Sequence, residues 1–558
     1  MKRDLSIYGL LILVGAVLFI PLTGRVHLFD WDEINFAESA REMIVSGDYL
    51  NVQIFYKPFW EKPPLFIWFQ VISMKLFGVN EFAARFPNAI CGIVTLLILF
   101  YFGKKIKDEK FGLIWSATYL CSLLPFFYFK SGIIDPWFNL FIFLAVLQWL
   151  NAMNKLAPGF KYRPIMLSGF FLGLAVLTKG PAAVLIFGLT IGILLVFNKF
   201  KFQMKVAHIL GFTGVLILTG GFWFILQLLS GNGEVIVDFI VYQIRLFREK
   251  DAGHGGFPLY HFVILFFGVF PASIFAIHGH KKFTNDNDAF LLIRRTMIIL
   301  FWVVLILFSI VNTKIVHYSS MCYFPMTFLA AYSIYHIINK WAHYKTWMGV
   351  TLVISGVLPA IAVAALPIFD RYKSWFIEKD LIKHSFTAGN IQANPGWSGF
   401  ESIIGLVLIM GIILSLIFFK REKNIASLIV LGSSCVLFTT LTMLFITPGV
   451  EKYSQNAAIE FLKEKSGEDA YIHTYYKSYA VLFYTNAQPP QNPIVYNGHW
   501  LGLGDIDKKA YFVIRNDKKE HILNMYPEIK EMYEKNGYVF CVRYPKQNKE
   551  EITLDDQQ

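Results

Sequence analysis

Charged residues are scarce in this chain of 558 residues: Asp, Glu, Lys and Arg together make up 16% of it, whereas soluble proteins carry roughly 25%. Such a low charge excludes a disordered chain and disfavours a soluble enzyme of this size. Cysteine is also rare, with five residues and no Cys-x-x-Cys pair. The sequence therefore excludes a disulfide scaffold and offers no cysteine spacing that is typical of a metal site.

Apolar and aromatic residues replace the missing charges. Hydrophobic residues make up 55% of the chain, and 55 of the residues are Phe. A membrane span needs about 20 predominantly apolar residues. The apolar runs predict thirteen transmembrane helices, at about 6–23, 82–103, 111–129, 132–150, 165–178, 181–198, 206–229, 259–278, 293–311, 318–338, 346–367, 401–419 and 425–446.

The positive charges predict the orientation of these spans. If Lys2-Arg3 lies in the cytoplasm, every second loop falls on the same side, and each of those loops is basic, as Lys104-Lys105 and Lys420-Arg421 illustrate. Cytoplasmic loops carry such an excess of Lys and Arg. The net charge of +12 is thus largely a topology signal, and we expect membrane lipids rather than nucleic acid as partners.

The end of the chain differs from the rest in composition. Residues 1–446 form the predicted transmembrane domain, and 447–558 read as a small soluble α/β domain on the outer side. Within this domain the sequence pattern predicts alternating helices and strands. The predicted helices are 454–465, 477–485 and 518–526, and the predicted strands are 470–474, 510–515 and 538–543.

Two acidic motifs stand out in the first outer loop. Asp32-Glu33 begins an amphipathic stretch, where Asp32 is expected to cap a helix. The structural interpretation is a helix that lies on the bilayer, and the functional interpretation is a carboxylate pair that faces a cavity. Glu61-Lys62 stands before Pro63-Pro64 and an apolar run. It is either a snorkelling pair or an acid and a base at the depth of a lipid phosphate.

Further charged and polar residues fall on the same predicted side. Each one alone is typical of an anchor at a helix end, but ionisable groups near the hydrocarbon usually face a cavity or one another. Their shared side indicates a common site. They are Asp135, Lys179, Arg245, Arg248, His254, Lys314 and His317-Tyr318.

These motifs together resemble the GT-C membrane glycosyltransferases, in particular the bacterial lipid A aminoarabinose transferases and the protein O-mannosyltransferases. The resemblance covers roughly residues 1–340. It rests on Asp32-Glu33-Ile34-Asn35-Phe36-Ala37-Glu38, Glu61-Lys62-Pro63-Pro64, Ile134-Asp135-Pro136, Leu177-Thr178-Lys179-Gly180, Gly253-His254-Gly255-Gly256, and Lys314 with His317-Tyr318. One departure is Asn35-Phe36, where the aminoarabinose transferases usually carry Arg-Tyr.

The resemblance implies an α-helical polytopic GT-C fold of about 13 spans, with juxtamembrane helices and a C-terminal periplasmic α/β domain. It implies an inverting glycosyltransferase in the bacterial cytoplasmic membrane. A polyprenyl-phosphate-linked sugar would be the donor, and a lipid of the lipid A type the acceptor. A protein O-glycosyltransferase with the same donor is the main alternative. A transporter or flippase is a remoter one, because its charges should lie near mid-membrane; a non-catalytic scaffold would not need so many charged outer connections.

The resemblance and the chemistry of transfer together suggest roles for the residues. Transfer to a hydroxyl acceptor needs a base that removes the hydroxyl proton, and cations stabilise the departing phosphate. We expect Asp32 and Asp135 as catalytic carboxylates. Phosphate contacts are expected from Lys62, Lys179, Arg245, Arg248 and Lys314, and the sugar or acceptor pocket from Glu33, Glu61, His317 and Tyr318. The only cofactor that the resemblance suggests is a divalent metal ion, for which Glu61 and His254 are the candidate ligands; two ligands alone make a poor metal site.

Overall fold

The structure, a computed structural model, describes residues 2–153, 162–200, 205–248, 255–283, 286–490 and 492–546. Helices dominate the part before residue 453. They are α1 (Lys2–Phe19), α2 (Asp32–Ser46), α3 (Leu65–Phe77), α4 (Glu81–Ile106), α5 (Glu109–Leu120), α6 (Leu123–Tyr128), α7 (Asp135–Ala152), α8 (Tyr162–Lys179), α9 (Ala182–Phe197), α10 (Val206–Gly220), α11 (Phe222–Leu229), α12 (Glu234–Arg248), α13 (Tyr260–Gly268), α14 (Ala272–Gly279), α15 (Asp288–Ile310), α16 (Tyr323–Ile338), α17 (Thr346–Glu378), α18 (Ser385–Ile391), α19 (Ile403–Lys420), α20 (Asn424–Leu441) and α21 (Thr447–Lys452).

Each of the thirteen predicted spans coincides with a helix or with two successive helices. By length and composition, six helices in the described part of the chain are able to cross a membrane, or eight if each of two bent helix pairs counts as one span. The bent pairs are α10 with α11, at 56°, and α13 with α14, at 110°. The chain is therefore a multi-pass helical membrane protein, and the number thirteen stays a prediction.

The strongly bent pair α13 and α14 runs the length of its neighbour α16 and the 3₁₀ turn that precedes it. His261 Nδ1 lies 3.0 Å from Ser319 Oγ, and His278 Nδ1 lies 2.8 Å from Ser333 Oγ. These serines are separated by 14 residues, which is about 20 Å along a helix. The bend therefore does not turn the chain back to the side from which it came.

The predicted cytoplasmic loops meet at one end of the bundle. Arg3 pairs with Glu109 at 2.7 Å, and Lys104 pairs with Asp4 at 2.5 Å. At the same end Lys110 donates to Asn339 Oδ1 at 2.6 Å. We call this the inner end, and the opposite end, which carries Asp32 and the C-terminal part, the outer end. The N-terminus, the loop at 104–110 and the loop at Asn339 therefore lie together, as the sequence predicted for them.

The C-terminal part is a small α/β unit, as predicted. Its sheet has the order β3-β4-β6-β5, in which β3 and β4 are parallel and the other neighbours antiparallel. The charged edge strand β5 and the short helix α24 were not predicted. The elements are α22 (Asn456–Lys465), β3 (Tyr471–Thr474), α23 (Ala480–Tyr484), α24 (Gly498–Leu503), β4 (Ala510–Arg515), α25 (Lys519–Met525), β5 (Lys530–Lys535) and β6 (Tyr538–Arg543).

The first outer loop is held between the bundle and this α/β unit. It contains α2, a two-stranded ribbon of β1 (Gln53–Ile54) and β2 (Lys57–Pro58), and α3. The backbone N–H of Leu28 donates to Tyr484 Oη at 2.7 Å, and Tyr56 Oη donates to the Ala487 carbonyl at 2.7 Å. The C-terminal unit thus fixes the loop that begins at Asp32.

Helix α2 differs from its predicted form in two ways. It does not lie on a bilayer, because every residue from Glu33 to Met43 is buried in the protein. Asp32 is not its cap either, because the helix begins at Asp32 and the preceding Trp31 provides no side-chain hydrogen bond. The buried carboxyl group of Glu42 is hydrogen-bonded within the first outer loop. It accepts from the N–H groups of Phe55 and Tyr56, both at 2.7 Å. Burial, with help from the nearby Glu38, raises the pKa of Glu42 to about 8.

Candidate functional site

Three segments bring the two predicted carboxylates and His317 together at the outer end. Asp32 begins α2, Asp135 begins α7, and His317 lies in the 3₁₀ turn before α16. His317 Nε2 is 3.1 Å from Asp32 Oδ2 and 3.9 Å from Asp135 Oδ2. Lys179, at the end of α8, donates to Asp135 Oδ1 at 2.6 Å. Acidic and basic groups therefore alternate in the order Asp32, His317, Asp135, Lys179.

The two carboxylates differ in access. The side chain of Asp32 is 37% exposed, whereas that of Asp135 is 4% exposed. Burial would raise the pKa of Asp32, but the hydrogen bond and charge of His317, with Lys62 and Lys179 nearby, hold that pKa well below its ordinary value. Asp32 is thus an ionised, accessible carboxylate with little affinity for a proton.

Asp135 and Lys179 of this array line a groove that is otherwise mostly apolar. Its polar lining also includes Lys62, Asn139, Gln243 and Tyr318. Its apolar lining lies largely on α9 and α15. It is formed by Phe138, Ala182, Leu185, Ile186, Leu307, Phe308, Val311 and Met321. We call this the outer groove.

Below it, an apolar groove continues between the same two helices. Leu307 borders both cavities. The lower cavity includes Leu189 and Ile193 of α9 and Ile306 and Ile310 of α15. Lys282, Arg294 and Arg295 border the lower cavity at the inner end, and between the two charged ends the path is apolar, as a long hydrocarbon tail requires.

Lys62 and Lys179 have similar surroundings. Lys62 Nζ lies 4.9 Å from the ring centre of Tyr242, and Lys179 Nζ lies 4.9 Å from the ring centre of Tyr318. Both distances are within the range of cation–π attraction. The rings thus contact two ammonium groups that line the same groove.

Glu61 and Arg245 contact the same tyrosine, Tyr242 of α12. Tyr242 Oη donates to Glu61 Oε2 at 2.9 Å, and the Arg245 guanidinium lies 5.2 Å from the Tyr242 ring centre. The sequence analysis had not singled out Tyr242, because a tyrosine in an amphipathic helix has no distinctive pattern. The predicted residues Arg248, by its side chain, and His254 lie outside the described part of the structure.

Lys314 does not point to a phosphate role. Its ammonium donates to the carbonyls of Phe308, Ser309 and Val311 at 2.9, 2.7 and 2.6 Å. Three N–H groups therefore meet three carbonyls at the end of α15, a favourable place for a cation. The geometry corrects the expected phosphate contact: Lys314 caps α15.

Glu33 also has a structural role instead of the expected place in the pocket. Its Oε1 accepts from the N–H of Gly132 at 2.6 Å, and its carboxylate forms a buried, bidentate pair with Arg85 at 2.9 and 2.7 Å. Arg85 also donates to the carbonyls of Thr23 and Val26, both at 2.8 Å. The pair fixes the chain before Asp32 and before Asp135. An Arg within an apolar span was the signal that could have revealed it.

The described residues contain no group of three or more His, Cys, Asp or Glu side chains that could hold a metal ion. Of the two expected ligands, Glu61 is hydrogen-bonded to Tyr242, and His254 lies outside the described residues. Metal binding therefore stays an untested prediction.

Comparisons with known proteins agree with this architecture. Residues 61–223 match the family described as dolichyl-phosphate-mannose-protein mannosyltransferase. Undecaprenyl phosphate-alpha-4-amino-4-deoxy-L-arabinose arabinosyl transferase 1 of Proteus mirabilis is 28% identical over 326 residues, which are 58% of each chain. The corresponding transferase of Pectobacterium carotovorum is 25% identical over 378 residues, 64% of each chain. The match thus spans about six tenths of these relatives.

The crystal structure of ArnT from Cupriavidus metallidurans bound to undecaprenyl phosphate superposes with a TM-score of 0.74 at 16% identity, covering 96% of this chain and 99% of that one. Its apo form gives a TM-score of 0.72 and covers 98% and 100%. Likeness over nearly the whole length includes the C-terminal α/β unit. The chain therefore has the GT-C glycosyltransferase fold and resembles the aminoarabinose transferases in both sequence and architecture.

Proposed function

We propose that this chain is an inverting glycosyltransferase that moves a sugar from a polyprenyl-phosphate donor to a phosphate of a lipid A-type acceptor. It would act at the outer face of the bacterial cytoplasmic membrane, with its N-terminus in the cytoplasm. The observation that carries the proposal is the array of Asp32, His317, Asp135 and Lys179, of which Asp135 and Lys179 line a mostly apolar groove. The names of the relatives supply the donor class and the acceptor class.

The donor would bind with its phosphate between Lys62 and Lys179 and its isoprenoid chain in the groove between α9 and α15. In the transfer, an acceptor oxygen forms a bond to the anomeric carbon as the bond from that carbon to the donor phosphate oxygen breaks. The polyprenyl phosphate leaves with the electron pair. Lys62 and Lys179 stabilise the charge that develops on it, because preorganised cations act where charge appears in the transition state.

Asp32 would orient the acceptor rather than deprotonate it. An efficient general base has a pKa near the working pH, and His317 holds the pKa of Asp32 far below that. An acceptor phosphate is already ionised, so it needs no base. This observation favours a phosphate acceptor over the hydroxyl of a protein side chain.

Transfer to protein hydroxyls is the second candidate, because residues 61–223 match the mannosyltransferase family. The discriminating experiment incubates the purified full chain in detergent with a radiolabelled polyprenyl-phosphate sugar and either lipid A or a Ser/Thr-rich peptide. Label in lipid A alone supports the proposal, and label in the peptide alone supports the second candidate. Donors that carry an aminopentose and a hexose, tested in parallel, identify the sugar.

A further inference from the structure

A second cleft, of about 1280 Å³, lies in the outer part of the molecule and is separate from the groove beside Asp32. It runs along β3 and α23 and reaches Phe55 of the first outer loop. We call it the outer cleft. Half-buried aromatic rings line it at both ends: Phe55, Tyr479 and Tyr496 near the first loop, and Tyr471 and Trp500 farther away.

The rings at each end support one another at steep angles. Phe55 contacts Tyr479 and Tyr496, with ring centres 5.7 and 5.0 Å apart and planes inclined by 71° and 73°. Tyr471 and Trp500 meet edge to face at 5.8 Å. Edge-to-face packing is a favourable arrangement that fixes ring orientation. The cleft is therefore lined by rigid aromatic surfaces.

Most charged groups of the cleft already contact neighbouring side chains. Lys508 pairs with Asp469 at 2.8 Å, Lys465 pairs with Glu468 at 3.0 Å, and Tyr471 donates to Asp507 at 2.7 Å. A ligand that depends on its own charge would have to break these pairs. The cleft is better suited to an uncharged ligand with many hydrogen-bonding groups.

Exposed amide side chains supply matching polar contacts. Asn486, Gln488 and Asn492 line the rim, and all three are exposed. A pyranose ring has C–H groups on its faces and hydroxyl groups around its edge, so aromatic faces and amides together are the chemistry that recognises it. Carbohydrate is the ligand class that combines both features without net charge.

The outer cleft also lies next to the catalytic array. Lys477, on its wall, has its ammonium 4.8 Å from the ring centre of Trp31, and Trp31 directly precedes Asp32. Phe55 stands a few residues before Glu61-Lys62 on the same outer loop. A glycan in the cleft would therefore extend from a lipid whose phosphate is at Asp32.

We propose that the outer cleft binds the oligosaccharide portion of the acceptor glycolipid and so presents the lipid to the site. The identity of the acceptor rests on the proposed function; carbohydrate binding itself rests on the cleft alone. The structure thus assigns the C-terminal unit a substrate-binding role.

The test measures binding of a deacylated, dephosphorylated lipooligosaccharide to the full chain in detergent by calorimetry. Trp500→Leu and Tyr496→Leu should each weaken binding roughly tenfold, because each removes an aromatic surface at one end. Tyr533→Leu is the matched control, since Tyr533 is exposed on edge strand β5 outside the cleft, and it should bind like the parent. If either cleft variant unfolds, the other retains the test.

Absence of glycan binding by the parent chain, or equal binding by the parent and both cleft variants, would overturn the proposal. Kinetics separate this outcome from failure of the proposed function. If transfer occurs, the cleft variants should raise KM for a glycan-bearing acceptor and leave kcat and the KM for lipid A alone unchanged. Glycan binding without any sugar transfer would sustain the cleft and refute the proposed activity.

Discussion

The two ends of the membrane bundle carry similar sets of side chains, yet only one resembles an active site. At the inner end His336 Nε2 lies 3.1 Å from Asp286 Oδ1, Tyr332 donates to the same carboxylate, and Lys107 is 3.8 Å away. At the outer end His317 lies 3.1 Å from Asp32.

The difference is access. The inner Asp286 and His336 side chains are 1% and 0% exposed, whereas the outer Asp32 and His317 are 37% and 15% exposed and adjoin Asp135, which lines an apolar groove. The proposed function therefore assigns reactivity to the accessible pair, whereas the buried pair of the same residue types holds neighbouring segments together. Side-chain composition alone does not identify the site.

The largest expected effect comes from Asp32→Asn. It keeps the size of the side chain but removes the charge that faces His317. We expect sugar transfer to fall by at least about a hundredfold, because a misplaced reactant costs that much, with a smaller accompanying loss of thermal stability in detergent, because His317 stabilises the ionised Asp32 in the fold. Radiolabelled transfer and a melting curve measure the two quantities. Turnover at the parent rate would leave Asp32 without a catalytic role.

Lys179→Met should affect both stability and activity. It leaves the buried Asp135 carboxylate without its 2.6 Å partner, and breaking such a pair lowers the free energy of unfolding by about 3 kcal/mol. Adding Asp135→Asn should restore most of the stability but not the transfer. Recovery of both stability and sugar transfer in the double variant would show that the pair of Lys179 and Asp135 is purely structural.

Lys62→Ala should reduce donor use roughly tenfold or more, because a charge-assisted phosphate contact contributes about 1.5–3 kcal/mol. Lys62→Arg should recover part of the loss, since the two cations differ in shape. Titration of the donor at saturating acceptor measures the change. Lys314→Met is the contrasting variant: it should cost stability through the end of α15, with KM for the donor unaltered.

Asp286→Ala tests the inner end of the bundle. Removal of its carboxylate takes away the acceptor that His336 Nε2 and the Tyr332 hydroxyl share, so we expect a loss of about 1–3 kcal/mol in stability and an unchanged kcat/KM. A strong loss of transfer in a folded Asp286→Ala protein would refute the distinction between the two ends.

The smallest effect is expected from pH. The pKa of Asp32 lies below its ordinary value of 3.8, so the carboxylate stays ionised as the pH falls. The stability it provides is present above that ordinary value and is lost only below it, as the pH passes through the lowered pKa. The pH profile of the transfer rate should therefore show no acidic limb that is due to Asp32 between roughly pH 5 and 8. A limb that Asp32→Glu displaces would indicate a general base.

Local patterns predicted much of the fold, because apolar runs and alternation are properties of short stretches. They gave the helical segments, the grouping of the loops and most of the α/β unit. The strand β5 was missed because its sequence, Lys-Glu-Met-Tyr-Glu-Lys, is charged and fully exposed, as suits an edge strand.

The sequence predicted which residues lie together in the site, but it did not predict the contacts and the role of each residue. Asp32, Asp135, Lys62, Lys179, His317 and Tyr318 do come together. Partner choice, however, depends on tertiary contacts: the Arg85 that engages Glu33 lies 52 positions away in the chain, and the tyrosine that engages Glu61 lies 181 positions away. No local pattern carries this information.

An experimental structure of the full chain with polyprenyl phosphate bound tests the proposed donor site most directly. We expect the phosphate within hydrogen-bond distance of Lys62 and Lys179, with the isoprenoid chain between α9 and α15. A phosphate bound at the inner end beside Lys107 and His336, or a chain lying outside that groove, would contradict it.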